Sequence, residues 1–443
     1  MSSLSKAISS TSNRALFTIS VWIKRTKFAS TGNIFGVGTG ASDTGQFKIG
    51  FNSSDRLTVE TGATNYRATK RQFTDPAAWY HIVVMYDSAQ GSGDNRLKMY
   101  TNGVLETSWE TFNSVVQNKN TAVNESGKTQ YIGLDGGANN SFKGYMAHLH
   151  FCDGTAYAAS DFGQTDSTTQ SWIPKGQPSV SYGTNGYFFK FEDGSSIAAM
   201  GTDSSGQGNN YGVSLTGSNA DNGKTIDTPS NTFCVMNNFA RNANLSYQAN
   251  GGLQIEENNT NNWQSILGTH AVSKGKWYWE VKLGATGDSQ YFIFGWCRAD
   301  VSYNSFVATN NQMPFRSSGY GYQRSGQKIY NNTGASYGSA MASHSFVGVK
   351  MDLDNGTIGF TYNGSDQGNA YTGITVDASN IFWVPALAIA QADNGENAGC
   401  YFNFGCPFKD VGTNADAAGY GGFEYAVPSG YYSLCTKNIE TFG

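Results

Sequence analysis

Short runs of β-branched and aromatic residues, each bounded by glycine, asparagine, aspartate or serine, recur along nearly the whole chain. Examples are ALFTISVWIKR at 15–25, WYHIVVMYD at 79–87, FKGYMAHLHF at 142–151, YFIFGWC at 291–297 and CYFNFG at 400–405. These runs alternate or are rich in aromatic residues, whereas the 3.6-residue period of an amphipathic helix is almost absent. The pattern therefore predicts an all-β fold built from sandwiches.

The composition agrees with strands joined by well-solvated loops. Charged residues make up 14% of the 443 residues, against roughly 25% in an average soluble protein. Aromatic residues also reach 14%, so polarity comes mainly from the hydroxyl and amide side chains that suit turns. The formal net charge of −4 gives no electrostatic reason to expect nucleic acid or an anionic membrane as a partner.

The sequence suggests neither a targeting segment nor a disulfide framework. No apolar run approaches the ~20 residues of a membrane span, and residues 1–20 contain no apolar core of a secretory signal. The six cysteines form no CxxC pair, and we expect them to be reduced and buried, as in a protein made in a cytoplasm. They are Cys152, Cys234, Cys297, Cys400, Cys406 and Cys435.

A change in composition divides the chain. Residues 176–235 are rich in Gly, Ser and Asn, and only YFFKF at 187–191 reads as a strand. A prior of ~150 residues per domain favours two or three domains in a chain of this length. The sequence therefore predicts a β-sandwich over 1–175, a loop-rich connector over 176–235 and a second β-sandwich over 236–443.

Two turns are predicted to close hairpins. They lie at Thr101-Asn102-Gly103 and at Asp354-Asn355-Gly356, where Asn and Gly readily adopt the positive φ angles of tight hairpin turns. The second turn superficially resembles a calcium loop, but the later acidic ligands of such a loop are missing.

The run KGKWYWEVKLG at 274–284 could be a ligand platform or a buried wall. Strand alternation puts Trp277, Trp279 and Val281 on one face, with Tyr278 and Glu280 on the other. We predict that Trp277 and Trp279 are core residues.

The second half of the chain resembles a SPRY domain. The matching stretches stand in that family's order: GKWYWEV (275–281), FIFGW (292–296), GYGYQRSGQKIYNN (319–332), VGVKMDLDNGTIGFTYNG (347–364), WVPALAIA (383–390) and YFNFG (401–405). The resemblance covers roughly 250–435. It implies that the KWYWEV strand is structural and that partners are met by loops at one end of the sandwich.

The first half resembles a concanavalin-like jelly roll of the laminin-G type. The matching stretches are FTISVWIKR (17–25), WYHIVVMYD (79–87), LKMYTNG (97–103) and the run from 131 to 162. The chain departs from the family at HLHFCDG (148–154), and it lacks a clear set of calcium-binding acids. No calcium and no other cofactor is therefore predicted.

The junction between the halves resembles virion proteins of tailed phages, those of marine phages in particular. This resemblance rests on phrases within 172–237, such as GTDSSGQGNNY, and on SGYYSLCTKNI near the end. It implies a homo-oligomeric virion protein that is synthesised in the host cytoplasm. The expected partners are other virion proteins and a host-surface glycan or receptor, with no nucleic acid and no membrane insertion.

Residues for catalysis are not brought together by the pattern. The close carboxylate pair that a jelly-roll glycosidase needs is missing, because Glu280 and Glu192 are isolated and Glu256-Glu257 point to opposite faces. No Cys–His or Ser–His–Asp arrangement is indicated either. The sequence therefore predicts a protein that is not an enzyme.

His148 and His150 share a strand face, while Leu149 and Phe151 face the core. Two imidazoles at this spacing could hold a metal if a neighbouring strand supplied a third ligand. No residue is indicated as that ligand, so we predict surface histidines and no metal.

Loops that combine rings with amides remain as the candidate binding surface. The loops at 298–306 and 316–326, and the strand end after them, carry residue types that suit both sugars and protein partners. The predicted binding residues are Arg298, Tyr303, Asn304, Arg316, Tyr320, Tyr322, Arg324 and Tyr330.

The leading hypothesis is a non-enzymatic virion surface protein, a tail fibre or fibre-like appendage, that presents these loops for host-surface recognition, with a glycan as the expected ligand. The first domain would pack against the virion or against sister subunits. One alternative is a capsid decoration or tail adaptor protein that binds only other virion proteins, which the lack of a heptad shaft favours. Another is a polysaccharide depolymerase, which the missing carboxylate pair disfavours.

Overall fold

A computed structural model describes residues 2–39, 45–62, 64–193, 195–215, 225–242, 245–247, 251–257, 262–284, 290–300, 315, 318–374, 376, 381–391, 399–407 and 412–443. The chain divides into two compact units, Met1–Lys224 with Thr228–Ser230 and Thr225–Asp227 with Asn231–Gly443. Both are built almost wholly from antiparallel strands, which confirms the predicted all-β fold. Across the described ranges, no helix has the length and apolar character needed to cross a membrane.

The first unit contains two large sheets. Its strands are β1 (Ser2–Ala7), β2 (Leu16–Arg25), β3 (Gly32–Val37), β4 (Phe47–Phe51), β5 (Arg56–Thr61), β6 (Thr64–Gln72), β7 (Trp79–Asp87), β8 (Leu97–Thr101), β9 (Val104–Leu105), β10 (Trp109–Phe112), β11 (Thr129–Ile132), β12 (Gly144–Asp153), β13 (Gly163–Thr165), β14 (Trp172–Pro174), β15 (Tyr187–Phe189) and β16 (Gly212–Leu215). Short 3₁₀ helices lie at Gly93–Asn95, Ala159–Asp161 and Ala198–Gly201. Among the described strands the sheet orders are β10-β6-β5-β4-β3-β11-β1-β16 and β15-β12-β2-β7-β8-β9, and β13 pairs with β14.

The core of the first unit lies between the two large sheets. Strand β2 shows why, since Phe17, Ile19, Val21 and Ile23 alternate into the buried cluster. The residues between them face the opposite side of the six-stranded sheet. That outer face is also covered, because residues 155–182 fold back over it and bury a smaller apolar cluster.

The division of the chain differs from the predicted boundaries at 175 and 235. Strands β15 and β16, from the Gly/Ser/Asn-rich stretch, pair with β12 and β1 and so complete the two sheets of the first unit. Asp203 fixes the loop between them, because its carboxylate accepts the backbone N–H groups of Phe188, Ser205 and Asn209. Residues 187–215 of this stretch therefore belong to the first sandwich, whereas Thr225–Asp227 and the residues from Asn231 onward belong to the second unit.

The turn at Asn102-Gly103 is confirmed. Both residues have positive φ, 48° and 83°, as the commonest two-residue hairpin turn requires. Thr101 pairs with Val104 directly across this turn.

The second unit is also a two-sheet structure. Its strands are β17 (Met236–Arg241), β18 (Leu245–Tyr247), β19 (Gln254–Glu257), β20 (Gln264–Gly268), β21 (Lys276–Leu283), β22 (Gln290–Arg298), β23 (Gly319–Gln323), β24 (Gln327–Tyr330), β25 (Thr333–Ser336), β26 (Phe346–Asp352), β27 (Thr357–Tyr362), β28 (Ser365–Thr372), β29 (Trp383–Gln391), β30 (Gly399–Asn403) and β31 (Tyr432–Ser433). One helix, α1 (Thr436–Phe442), follows. Among the described strands the sheet orders are β17-β20-β29-β22-β23-β24-β25 and β18-β19-β30-β21-β26-β27-β28, and β31 pairs with β21.

The prediction for the WYW strand is confirmed. Trp277, Trp279 and Val281 are fully buried in the core between the two sheets. Tyr278 and Glu280 are also buried. Glu280 accepts hydrogen bonds from the Tyr278 hydroxyl and from the backbone N–H groups of residues 424 and 425, so that segment is fastened over this strand.

The hairpin at residues 354–356 is likewise confirmed. Asp352 pairs with Thr357 across the turn, and Gly356 has a φ of 64°. The Asp352 carboxylate accepts the backbone N–H groups of Asp354 and Asn355 and forms an ion pair with Lys276 at 3.0 Å. The acid at 352 therefore stabilises a turn.

Candidate binding site of the second unit

Two of the predicted binding residues stack on each other. Tyr320 on β23 pairs directly with Tyr330 on β24, and their ring centroids are 4.6 Å apart with an interplanar angle of 7°. Tyr330 is 43% exposed, whereas Tyr320 is half-buried. The stack therefore presents one accessible ring held on a partly buried one.

Two further rings pack against Tyr320. Tyr371 on β28 and Trp383 on β29 lie 4.8 and 5.7 Å from Tyr320, measured between ring centroids. The Tyr371 hydroxyl donates to the carbonyl of Gly321 at 3.0 Å, which fixes the ring between the two sheets. We call Tyr320, Tyr330, Tyr371 and Trp383 the aromatic rim.

Neither Tyr371 nor Trp383 was among the predicted binding residues. The run SDQGNAYT that contains Tyr371 begins with five polar or glycine residues, so it carries no alternation that would indicate a strand. The turn at Asn363-Gly364 was the available signal, because both residues have positive φ and the hairpin leads β28 back along β27.

Arg298 lies at the same end of the sheet as the aromatic rim. It pairs with Trp383 in the β22–β29 ladder, while Trp296, two residues earlier, pairs with Tyr320. The exposed guanidinium forms a two-pronged ion pair with Asp300, at 3.0 and 2.5 Å. Because both partners are exposed to solvent, this pair leaves Arg298 available to exchange Asp300 for an external acceptor.

The prediction that Tyr322 is a surface binding residue is wrong. This residue lies two residues from Tyr320 on β23, so both side chains point between the sheets, and Tyr322 is fully buried. Its hydroxyl donates to the carbonyl of Ser339, and its ring packs against Phe360 at 5.1 Å. Of these two tyrosines on β23, only Tyr320, which lies nearer the end of the strand, belongs to the aromatic rim.

Arg324 lies at the opposite end of β23 from Tyr320. Four residues of strand separate them, roughly 13 Å at the usual rise of about 3.3 Å per residue. Its Nε donates to the carbonyl of Met341 at 3.3 Å, so it ties down a neighbouring loop. Tyr303, Asn304 and Arg316 lie outside the described residues.

The hydroxyl groups of the rim are donors at neutral pH. Burial, and then the neighbouring Tyr330, raises the pKa of Tyr320 to about 12. Burial also raises the pKa of Tyr371 above its usual value. These two phenols therefore stay protonated, and the Tyr371 hydroxyl is already bonded to Gly321, so what the rim offers a ligand is chiefly the exposed ring of Tyr330.

The predicted position of the two histidines on the first unit needs correction. Leu149 and Phe151 face the core as expected, but His150 is also buried, because residues 155–182 cover that face. His148 sits in an irregularity of the β12–β2 ladder with a φ of 46° and is partly buried. Among the described residues, no three His, Cys, Asp or Glu side chains are placed to hold a metal ion.

Both units are thus β-sandwiches of two packed sheets. In this class of protein, binding surfaces are carried by the loops and strand ends at one end of the sandwich. A region in each unit matches the model of a known family. Residues 276–406 match the family model of the SPRY domain, and residues 4–160 match that of the concanavalin A-like lectin/glucanases superfamily. The chain therefore contains a concanavalin A-like domain followed by a SPRY domain.

Similar proteins share only part of this layout. The chain is 27% identical over 154 residues to the ATP-dependent RNA helicase DDX1 of Xenopus laevis. The aligned region covers 35% of this chain and 18% of that protein. It is 28% identical over 150 residues to the E3 ubiquitin-protein ligase RKP of Arabidopsis thaliana, which covers 33% of this chain and 11% of that protein. The chain thus spans less than a fifth of the length of these relatives.

Solved SPRY structures also match. The SPRY domain of human HERC1 is 14% identical, with a TM-score of 0.28, and the match covers 36% of this chain and 91% of that one. The TRIM65 PSpry domain is 13% identical, with a TM-score of 0.29, and the match covers 38% of this chain and 89% of that one.

Chelators and reductants are expected to leave the melting temperature within about 2 °C of its value in plain buffer, a shift that corresponds to at most about 1 kcal/mol. The six cysteines are free and buried, and burial raises the pKa of Cys297 to about 12, which disfavours its reactive thiolate form. Calorimetry with EDTA, and separately with dithiothreitol, measures this. A fall of many degrees in EDTA would require a bound metal, and a fall in dithiothreitol would require a disulfide.

Proposed function

We propose that this chain is a non-enzymatic binding protein of a phage virion surface, in which the aromatic rim of the SPRY domain contacts a host-surface glycan. The observation that carries the proposal is the Tyr320–Tyr330 stack, with Tyr330 accessible and both rings held by paired strands. A flat, accessible ring matches a sugar, which offers C–H groups on its faces.

Rigidity supports the same proposal. Tyr330 is backed by a ring that is itself packed against Tyr371 and Trp383. Lys328, two residues earlier on β24, donates to the carbonyl of Ala370 at 2.7 Å and so links this strand to β28. A contact surface that is ordered before binding loses little conformational entropy when a ligand arrives.

The test is the Tyr330→Ala variant, measured for binding to a panel of bacterial surface polysaccharides and to bacterial cells. We expect affinity to fall at least about tenfold, as for truncation of a central aromatic contact. Tyr291→Ala is the matched control, because Tyr291 is 45% exposed and lies near the start of β22, away from the rim. Its affinity should stay within about twofold of the parent value.

The outcomes separate the roles of the rim. Loss of cell binding with normal incorporation into particles supports glycan recognition. Loss of incorporation into the particle would make the rim an assembly surface, as expected for a decoration or adaptor protein. Equal behaviour of the Tyr330 and Tyr291 variants would contradict the choice of this surface.

A further inference from the structure

Three of the five histidines of the chain meet on one face of the first unit. His81 on β7 and His148 and His150 on β12 lie on the outer face of the six-stranded sheet, where they are close enough for their charges to interact. His81 and His150 are buried because residues 155–182, which we call the cover segment, lie over them. The proposed function makes no use of this cluster.

The hydrogen bonds of His81 require a neutral ring. The indole N–H of Trp172, in the cover segment, donates to Nδ1 of His81 at 2.9 Å. Since an indole nitrogen can only donate, Nδ1 must be an unprotonated acceptor and Nε2 must carry the hydrogen. Nε2 then donates to the Ser20 hydroxyl at 2.8 Å, so both ring nitrogens are occupied.

His150 binds the cover segment at a second point. Its ring stacks on Phe188 with centroids 3.9 Å apart, and its Nδ1 lies 2.9 Å from the hydroxyl of Tyr182. Phe162 of the cover segment lies 5.1 Å away on a tilted contact. A positive charge on this ring would be placed among aromatic side chains with no carboxylate bonded to it among the described residues.

Few ionisable groups surround the cluster. Lys190 and Glu192 act on His148 in opposite directions, and Asp161 acts on Cys152 and Tyr100. The other titratable neighbours are Tyr157 and Tyr182 of the cover segment, with Asp203 acting on Tyr182, and Lys24 and Lys98 on the same sheet face. None of these supplies a carboxylate that would stabilise a charged His81 or His150.

We propose that the cover segment is an acid-sensitive latch, which lifts from the outer sheet face when His81 and His150 take up protons, while the core between the two sheets stays closed. The trigger is the loss of the acceptor at His81 Nδ1, which releases Trp172, together with the charging of the His150 ring. Lifting the segment exposes the sheet face around Val83 and Cys152.

The pH window follows from the sign of the shifts. Burial lowers the pKa of His81 to about 3 and that of His150 well below its usual value, against about 6.5 in an open segment. The closed form is therefore fully favoured above about pH 6.5 and loses its advantage as the pH falls toward 3. In that window each histidine raises the open fraction about tenfold per pH unit.

Hydrogen exchange of the full chain between pH 6.5 and 4.5, corrected for the intrinsic pH dependence of exchange, tests the latch. We expect protection of residues 155–182 to fall by at least about 50-fold, the value for one histidine between pH 6.5 and 4.5, and up to about 2,500-fold for two. Strand β3, in the core of the same unit, should change by less than about tenfold. Parallel loss in β3 would mean global unfolding and would overturn the proposal.

The variant His81→Gln with His150→Phe keeps a donor and an acceptor at residue 81 and a ring at residue 150, and neither side chain can be protonated. Its response should shrink below about tenfold, while His344→Gln, an exposed histidine of the second unit, should respond like the parent. An undiminished response in the double variant would overturn the proposal. If the double variant fails to fold, the parent decides: a response below about 50-fold between pH 6.5 and 4.5, or one shared with β3, overturns the proposal.

Discussion

Replacing Trp279 with alanine is expected to lower the free energy of unfolding of the second unit by about 3–5 kcal/mol, as large truncations in a packed core do. Trp279 is fully buried, and its ring lies 5.5 Å from that of Phe404 and 6.4 Å from that of Trp296. The truncation would leave a cavity between the two sheets that these rings cannot fill without moving the strands. Urea denaturation followed by near-ultraviolet circular dichroism measures the change.

The variant Trp279→Phe provides the control. The indole N–H of Trp279 has no hydrogen-bond partner among the described residues, so replacement by another large apolar ring should cost under about 1.5 kcal/mol. An alanine variant as stable as the parent would show that the ring does not support the core. A phenylalanine variant as unstable as the alanine one would point to a hydrogen bond that the structure does not contain.

A second large effect is expected at Asp416, a buried carboxylate that joins three parts of the second unit. One oxygen accepts the backbone N–H groups of Ala418 and Tyr420. The other accepts the N–H and the hydroxyl of Ser433 and the side-chain amide of Asn438, at 2.5–2.8 Å. Asp416→Ala would remove the acceptor shared by the buried Ser433 and Asn438 side chains and open the turn at 416–420, so we expect a loss of about 3–5 kcal/mol.

The matched control for Asp416 is Asp300→Ala. Asp300 also bonds to a neighbouring side chain, but both it and Arg298 are exposed, so its removal should cost under about 1 kcal/mol. Equilibrium denaturation of the two variants gives the comparison. Equal losses would show that burial is not what makes the Asp416 network stabilising.

Elements defined by local sequence chemistry could be predicted. The turns at 102–103 and 354–356 depend on residues that accept positive φ, and the burial of Trp277 and Trp279 depends on strand alternation alone. Each of these signals spans fewer than ten residues, so no knowledge of distant contacts is needed.

What could not be predicted depends on contacts between distant parts of the chain. Strand β16 pairs with β1 about 210 residues earlier, through four residues that include Gly212 and Ser214, and such short runs carry little periodicity. Strand alternation correctly places His150 on the face opposite to Leu149. The burial of His150, however, depends on the cover segment, which contacts it only after folding. The loop predicted at 316–326 includes Tyr322. Strand β23 extends through this residue and directs its side chain between the two sheets.

The first and last described segments of the second unit lie side by side. The backbone N–H of Cys234 donates to the carbonyl of Leu434 at 2.8 Å, and that of Thr436 donates to Thr232 at 2.9 Å. A module whose two ends meet can be placed within a surface loop of another protein without stretching its host, because the gap in the host chain stays short. This SPRY unit is therefore geometrically suited to transfer between unrelated chains by insertion, as well as by end-to-end fusion.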